Sequence, residues 1–217
     1  MRRTAGRLLM MVALLAGAAG CGGREPGHYV VPPDGLCAAV GLTPFDPAVT
    51  EVEAEPASRR VDIDEVELRC TWSLRFYGEP WTVTATADVF DGVTTGAKPA
   101  FQSLAGPAAT PAASAPATSH GFGTWTKVGP HGYWSLTEPT RPAGGDLRGD
   151  LRYEVAWWDG NLVARVQLGR PVLFTPDLAQ AKANAKTWGD ALALRIAACL
   201  SGPQGRRGTA GSSPVVR

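Results

Sequence analysis

The stretch that decides the fold is 68-LRCTWSLRF-76, followed closely by 81-WTVTATADV-89. In both segments every second side chain is apolar and its neighbours are polar. A period of two is typical of strands that bury only one face. The intervening residues 77–80 include Gly78 and Pro80, which favour a turn. The sequence therefore predicts two half-buried strands joined by a short turn.

A second hairpin is predicted within YEVAWWDGNLVARVQL, residues 153–168. The dipeptide Asp159-Gly160 between two apolar runs is typical of a two-residue type I′ turn. Trp158 then falls on the second face, which is also partly apolar, so we expect a helix or a partner to cover it. The predicted register pairs Trp157 with Leu162, Val155 with Ala164, Tyr153 with Val166, and Glu154 with Arg165.

The last apolar segment, residues 177–200, has the spacing of a long helix. We interpret its Trp188 and Cys199 as core packing, with Cys199 a buried thiol. Two shorter helices are predicted, one following Asp34 as a candidate N-cap and one over residues 97–104. The apolar stripe of the long helix comprises Leu178, Ala181, Ala185, Trp188, Leu192, Ile196 and Cys199.

Two segments lack any periodicity. Residues 46–67 are rich in acids, but EF-hand spacing is absent, so we predict a solvated acidic loop rather than a cation site. Residues 105–121 are rich in Ala, Pro, Thr and Ser. A segment without large apolar side chains cannot bury a face, so this one is predicted to be a mobile loop.

These elements predict a single α+β domain over residues 34–200, followed by a disordered tail over 201–217. Two further strands are expected at 125–128 and 133–137. The antiparallel sheet would then have about six strands, with the long C-terminal helix and the shorter helices packed on it. A chain of this length can bury a core of its own.

The N-terminus has the layout of a signal peptide, with three arginines before the apolar residues 8–19. This stretch is shorter than the ~20 residues that a transmembrane helix needs. Its last residues, Ala-Ala-Gly-Cys21, resemble the lipobox of bacterial lipoproteins, in which a peptidase cuts just before a lipid-bearing cysteine. We predict a signal peptide over 1–20, lipid on Cys21, a flexible tether over 21–33 and a location on the extracytoplasmic face of the cell membrane. The alternative is ordinary Ala-x-Ala cleavage that releases a soluble protein.

Export would place the other cysteines where disulfides persist. Once Cys21 is assigned to lipid, Cys37, Cys70 and Cys199 allow one bridge and one free thiol. Cys70 lies on the apolar side of its strand, and the helix that carries Cys37 is its nearest candidate partner in sequence. Our hypothesis is therefore a Cys37–Cys70 disulfide.

The sequence offers little that indicates catalysis, metal binding or nucleic-acid binding. Removal of residues 1–20 takes away three arginines and changes the formal charge from +1 to about −2, so no basic surplus favours nucleic acid. The histidines lie in the tether (His28), the loop (His120) and a turn (His131), and no metal or nucleophile motif is present. We predict no enzyme activity, no cofactor and no metal.

The lipobox cysteine, the short helix with LCAAVGL, the strand with Cys70-Thr71-Trp72 and the closing helix resemble the actinobacterial cell-envelope lipoproteins of unknown function. The resemblance spans residues 14–200. The chain is also similar to the external sensor domains of actinobacterial Ser/Thr kinases, which implies a disulfide-braced α+β domain with a ligand cleft. The resemblance implies the same Cys37–Cys70 pairing.

The leading hypothesis is a non-catalytic, membrane-anchored lipoprotein that binds an unidentified ligand or partner at the cell envelope. A structural or assembly accessory of an envelope complex is the second hypothesis. An uncharacterised hydrolase is the third.

Overall fold

The structure is a computed structural model that describes residues 28–41, 49–76, 79–91, 96–109, 120–139, 149–171 and 178–201. It confirms the α+β class, with one antiparallel sheet and helices packed on it. In chain order the elements are α1 (Gly35–Val40), β1 (Val49–Ala54), β2 (Ser58–Val61), β3 (Glu65–Phe76), β4 (Glu79–Phe90), α2 (Ala97–Ala109), β5 (His120–Thr124), β6 (His131–Thr137), β7 (Asp150–Asp159), β8 (Leu162–Pro171) and α3 (Leu178–Leu200).

Neighbouring strands are antiparallel throughout, in the order β1-β3-β4-β8-β7-β6-β5, and β2 also pairs with β3. Both β1 and β2 therefore lie at one edge, and β5 forms the other. The two predicted hairpins supply the centre of the sheet, because β4 pairs with β8. The described residues contain eight strands rather than the predicted six or so.

The prediction of an irregular loop over residues 46–67 is wrong. This segment contains β1, β2 and the start of β3. The side chains of residues 51–64 are all exposed, so the sequence has no apolar alternation that would indicate the two edge strands. Backbone pairing to β3 forms them instead. At Glu51 the backbone has a positive φ of 53°, and the register shifts between Thr50 and Glu53, as in a β-bulge at a sheet edge.

The predicted alternation in β3 and β4 is confirmed. One face of the sheet, the core face, packs against α1 and α3, whereas α2 packs on the opposite face. Burial of one face explains why the apolar period is two in these strands. The core-face side chains of β3 and β4 include Leu68, Cys70, Trp72, Leu74, Trp81, Val83, Ala85, Ala87 and Val89.

The long helix α3 lies on the core face as predicted. Trp188 is buried, and its ring meets the Trp81 ring edge-on at 5.4 Å between centroids, which confirms its packing role. Gly189 allows a close approach to the sheet, because a Cβ there would lie only 2.6 Å from the Tyr153 ring. The predicted helix start at Asp177 lies outside the described residues.

The second hairpin forms, but its predicted register is wrong. Asp159 pairs with Leu162, so the turn is Gly160-Asn161 rather than Asp159-Gly160. The correct pairs are Trp157 with Ala164, Val155 with Val166, Tyr153 with Leu168, and Glu154 with Gln167. Each β7 residue pairs with a β8 residue two positions further along the chain than predicted. A shift of two residues leaves every side chain on its predicted face of the sheet.

Tertiary hydrogen bonds of Asn161 explain this register. Its buried side chain accepts a bond from the Tyr29 backbone N–H (2.8 Å) and donates to the carbonyls of Tyr29 (3.1 Å) and Phe90 (3.0 Å). Its own carbonyl accepts a bond from the Phe90 N–H at 2.9 Å. The turn is thus tied both to the N-terminal segment and to β4, and these contacts override the local preference of Asp-Gly.

We predict that Asn161→Ala lowers the free energy of unfolding by about 2 to 3 kcal/mol, because it leaves buried backbone groups of Tyr29 and Phe90 without partners. Equilibrium urea unfolding measures this change. Asn184→Ala is the matched control, since the Asn184 side chain accepts an exposed hydrogen bond from Gln180 on α3. Equal losses in the two variants would contradict the role assigned to Asn161.

The predicted tether is too long at its C-terminal end. Tyr29 is 2% exposed, and its hydroxyl donates to Asp159 at 2.6 Å. The Val30 N–H donates to the Leu200 carbonyl at 2.8 Å. The residues from Tyr29 onward therefore belong to the folded domain. Asp34 precedes α1 as predicted, but its side chain makes no capping hydrogen bond.

Two predicted boundaries around the low-complexity segment are also wrong. Helix α2 continues to Ala109 instead of ending at 104, and the strand expected at 125–128 lies at His120–Thr124. The glycines of β5 let the Trp134 ring lie against the strand, because a Cβ on Gly123 would be 2.6 Å from Trp134 Nε1. A large neighbouring ring thus takes the place of side chains that β5 lacks. Residues 110–119 lie outside the described residues.

The Cys37–Cys70 disulfide is confirmed and joins α1 to β3, with the two Cα atoms 5.3 Å apart. The prediction that Cys199 is a free, buried thiol is wrong. Cys199 is half-buried near the end of α3 and is disulfide-bonded, and its partner lies outside the described residues. Among the described helices, none combines the length and the apolar character needed to cross a membrane.

Candidate functional site

Part of the sheet surface opposite the core face is left uncovered by α2. That helix packs where Phe101 approaches the rings of Tyr133 (6.1 Å) and Trp158 (6.5 Å). This contact confirms that a helix covers the partly apolar end of the second face. The rest of this face carries polar side chains from the four adjacent strands β4, β8, β7 and β6.

Cross-strand pairing aligns these polar residues in two rows. Directly paired residues project their side chains to the same face, so each row forms a continuous line across four strands. With a strand spacing of about 4.8 Å, each row spans roughly 14 Å. The first row is Thr82, Gly169, Arg152 and Thr137, and the second is Thr84, Gln167, Glu154 and Ser135.

The two rows form the floor of a groove, here called the polar groove, with a volume of about 630 Å³. Cavities of this size accommodate small-molecule ligands. Its lining residues are Thr82, Thr84, Ser135, Thr137, Asp150, Arg152, Tyr153, Glu154, Gln167, Leu168, Gly169 and Arg170.

Glu154 occupies the centre of the groove and is held by two hydrogen bonds. The Tyr133 hydroxyl donates to Oε1 at 2.6 Å, and Gln167 Nε2 donates to Oε2 at 2.5 Å. Burial, together with the hydrogen bond to Glu154, raises the pKa of Tyr133 well above its ordinary value. Tyr133 therefore stays a neutral donor at physiological pH, and the arrangement fixes the Glu154 carboxylate and the Gln167 amide in place.

Both arginines of the groove lining are ion-paired. Arg152 donates to Asp150 at 3.0 Å, and the largely buried Arg170 pairs with Glu79 at 2.8 Å. Glu154 uses both of its oxygens in the hydrogen bonds from Tyr133 and Gln167. The groove therefore offers hydroxyl and amide groups, together with the remaining acceptor sites of the Glu154 carboxylate, for hydrogen bonding to a ligand.

A smaller cavity of about 190 Å³ lies further along β4 and β8. Thr86, Asp88 and Arg165 contribute to its lining. Burial is the main cause that raises the pKa of Asp88 from 3.8 to about 7, and the nearby carboxylates of Glu65 and Glu67 raise it further. Arg165 opposes this rise. Asp88 therefore changes charge near neutral pH.

We predict that Asp88→Asn makes the protein more stable at about pH 8 by about 1 to 2 kcal/mol but leaves its stability unchanged near pH 4. Because the pKa of Asp88 is raised in the folded chain, the unfolded chain loses the Asp88 proton at a lower pH than the folded chain does. The contribution of Asp88 to the stability of the wild type therefore falls as the pH rises from about 4 to about 7. Urea unfolding at several pH values measures the difference, with Asp91→Asn as an exposed control. A difference that does not change with pH would contradict this prediction.

Asp190 of α3, a buried acid on the core side, was not predicted from the sequence. Its side chain accepts hydrogen bonds from Trp125 Nε1 (2.9 Å), the Tyr153 hydroxyl (3.0 Å) and Lys127 Nζ (2.7 Å). Burial acts to raise its pKa, but the bonds from Lys127, Trp125 and Tyr153 outweigh burial and lower it. Asp190 thus fastens α3 to β7 and to the segment after β5.

The residues singled out from sequence do not meet in the groove. Cys21 lies outside the described residues, and the Cys37–Cys70 disulfide joins α1 to β3 away from the groove. His28 and His131 are exposed. His131 is the first residue of β6 rather than part of a turn, and its ring stacks on Trp158 at 4.6 Å between centroids. Among the side chains that the structure describes, no three or more His, Cys, Asp or Glu residues are grouped so that they could hold a metal ion.

Comparisons of the chain with protein-family models, with curated proteins and with solved structures found no match.

Proposed function

We propose that this chain is a non-catalytic lipoprotein of the cell envelope that binds a polar ligand in the polar groove. The observation that carries the proposal is the groove itself, a cavity of about 630 Å³ across the four strands β4, β8, β7 and β6. A rigid sheet positions its polar groups before any ligand arrives, which lowers the entropy lost on binding.

The chemistry of the groove favours binding over catalysis. A nucleophile or general base needs an adjacent group that activates it or a pKa near the working pH. The pKa of Tyr133 is raised, which keeps its phenol protonated, and Glu154 accepts bonds at both oxygens. These groups can orient a ligand by hydrogen bonding.

The proposed anchor rests on the lipobox-like residues that end at Cys21. A lipid on Cys21 restricts how the other cysteines can pair. Once Cys37 and Cys70 are joined, Cys21 is the one cysteine left that could pair with Cys199 within the same chain. A lipid thioether and a Cys21–Cys199 disulfide would use the same sulfur, so the proposed anchor requires Cys199 to be a free thiol in the lipid-bearing chain, unlike the disulfide-bonded Cys199 described above. The mass of the denatured chain distinguishes the two states.

The first experiment is intact-mass measurement of the denatured protein after extraction from its own membranes in mild detergent. The proposal predicts a mature chain that begins at Cys21 and carries the mass of attached lipid at that residue. An unmodified chain found in the medium would contradict the anchor.

The second experiment tests the groove with a variant that fills it. Gly169 lies in the groove floor, and a Cβ there would meet no atom closer than the Thr82 carbonyl at 4.0 Å, so Gly169→Trp adds bulk without removing a hydrogen bond. Ser58→Trp, on the exposed edge strand β2, is the matched control. We expect a ligand retained in the native mass of the wild type and of the control and absent from Gly169→Trp. A ligand retained equally by all three proteins would show that the groove is not the site.

A further inference from the structure

We propose that the ligand of the polar groove is a neutral carbohydrate, a short oligosaccharide or the exposed end of a longer glycan. This inference rests on the proposed function and names the ligand class for the same site. Three features of the described residues carry it, namely the charge balance of the groove, its hydrogen-bonding groups and an exposed aromatic ring beside it.

The charge balance of the groove favours a neutral ligand. Its lining contains two acids, Asp150 and Glu154, and two bases, Arg152 and Arg170. Both bases are ion-paired, Arg152 with Asp150 and Arg170 with Glu79. An anionic ligand would have to displace these carboxylates and would lie beside the Glu154 carboxylate, which accepts its hydrogen bonds from the neutral Tyr133 and Gln167. A neutral ligand can bond to the groove without displacing an ion pair.

The hydrogen-bonding groups of the groove match those of a sugar. Four hydroxyls, from Thr82, Thr84, Ser135 and Thr137, line it together with the Gln167 amide. A hydroxyl both donates and accepts hydrogen bonds, as sugar hydroxyls do. The Gln167 amide donates one bond to Glu154, which orients its carbonyl oxygen and its second N–H. The groove therefore presents donors and acceptors at fixed spacing along two rows.

Phe122 extends the second row by one strand, because it pairs with Ser135. It is 43% exposed, and its ring stacks on the Tyr133 ring with centroids 5.5 Å apart and planes at 22°. Tyr133 is held in turn by its hydrogen bond to Glu154. An aromatic face carries partial negative charge, so it attracts the polarised C–H groups of a pyranose ring. Phe122 is thus a supported platform at the end of a row of hydrogen-bonding groups.

A peptide fits this groove less well. An extended peptide usually adds to the unpaired edge of a sheet, where free backbone N–H and C=O groups give it affinity. Strands β4, β8, β7 and β6 are each paired on both sides, so their backbone groups already bond one another. Only side chains remain to bind a ligand on this face, and most of them are neutral hydroxyls and an amide.

The test identifies the material that the groove retains. Full-length wild type, Gly169→Trp and the Ser58→Trp control are purified from their own membranes, and whatever the groove-filling variant lacks is analysed for neutral sugars, phosphate and amino acids. The inference predicts neutral sugars. Material that consists of peptide, or of a phosphate-bearing or fatty-acyl compound, would overturn it while leaving the proposed function intact. Absence of any such material would overturn both.

A second variant tests the aromatic platform. Titration of the protein with the recovered sugar, followed by the change in tryptophan fluorescence or in heat, gives the dissociation constant. Because Phe122 is exposed, Phe122→Ala should fold normally, and we expect about tenfold weaker binding from loss of the ring contact. Phe122→Tyr should retain affinity. Unchanged affinity in Phe122→Ala would overturn the assignment of this ring to the site.

Discussion

The variant Asp190→Ala is expected to lower the free energy of unfolding by about 3 to 5 kcal/mol, because it removes the acceptor of a buried charged cluster. Trp125 Nε1 and the Tyr153 hydroxyl would then be buried without a partner. Lys127 is half-exposed and can turn to water, so its ion pair contributes little to this loss.

Urea unfolding at neutral pH measures this loss. Asp62→Asn is the control, since Asp62 forms an exposed ion pair with Arg60 at 3.5 Å. Exposed pairs contribute about 1 kcal/mol or less, so the control should change stability little. A loss of similar size in both variants would contradict the structural role assigned to Asp190.

The pH dependence of the same residue gives an independent check. The folded-state pKa of Asp190 is lowered, so its carboxylate stabilises the fold at pH values above the ordinary range of an aspartate. That stability is lost as the pH falls through the folded-state pKa. The difference between wild type and Asp190→Asn should therefore shrink in acid. A difference that stays constant down to acid pH would contradict the lowered pKa.

The second large effect is expected from the Cys37–Cys70 disulfide. The double variant Cys37→Ala/Cys70→Ala should lose about 3 to 4 kcal/mol, because the bridge closes a loop of about 33 residues and so restricts the unfolded chain. Urea unfolding of wild type and double variant measures the loss. The substitutions are preferable to a reductant, because a reductant would act on every disulfide of the chain and not on the Cys37–Cys70 bridge alone.

A loss below about 1 kcal/mol would contradict the bracing role of this bridge. The single variant Cys37→Ala leaves Cys70 as a buried thiol on the core face and should lose nearly as much as the double variant. The comparison separates the loss of the covalent link from the loss of the Cys70 side chain in the core.

The sequence predicted the centre of the sheet because apolar burial there imposes a period of two. Apolar side chains alternate over residues 68–74 of β3 and 81–89 of β4, and their predicted faces are confirmed. The register of the second hairpin was beyond the sequence, because Asn161 bonds backbone groups of Tyr29 and Phe90, which are distant along the chain. A local turn preference of Asp-Gly carries no information about such contacts.

The edges were missed for a different physical reason. β1 and β2 expose almost all of their side chains, so pairing to β3 forms them without any apolar pattern. β5 contains Gly121 and Gly123. Glycines in a sequence indicate a break in regular structure rather than a strand. The Trp134 ring fills the space beside them, and that contact becomes visible only once β6 is paired with β5.

Only part of the polar groove could be predicted. The alternation placed Thr82 and Thr84 on a polar face, and Glu154 was correctly placed away from the core. The groove itself joins β4 to β8, β7 and β6, and a pairing between such distant segments cannot be deduced from local periodicity. The sequence contained one signal for Asp190. This acid lies between Trp188 and Leu192, two members of the apolar stripe of the predicted helix.

The most direct test of the account is the native mass of the wild type and of Gly169→Trp, each extracted from its own membranes and measured again after denaturation. We expect a non-covalent mass excess on the wild type that denaturation removes and that Gly169→Trp lacks. An equal excess on both proteins, or none on the wild type, would contradict the claim that the polar groove binds a ligand.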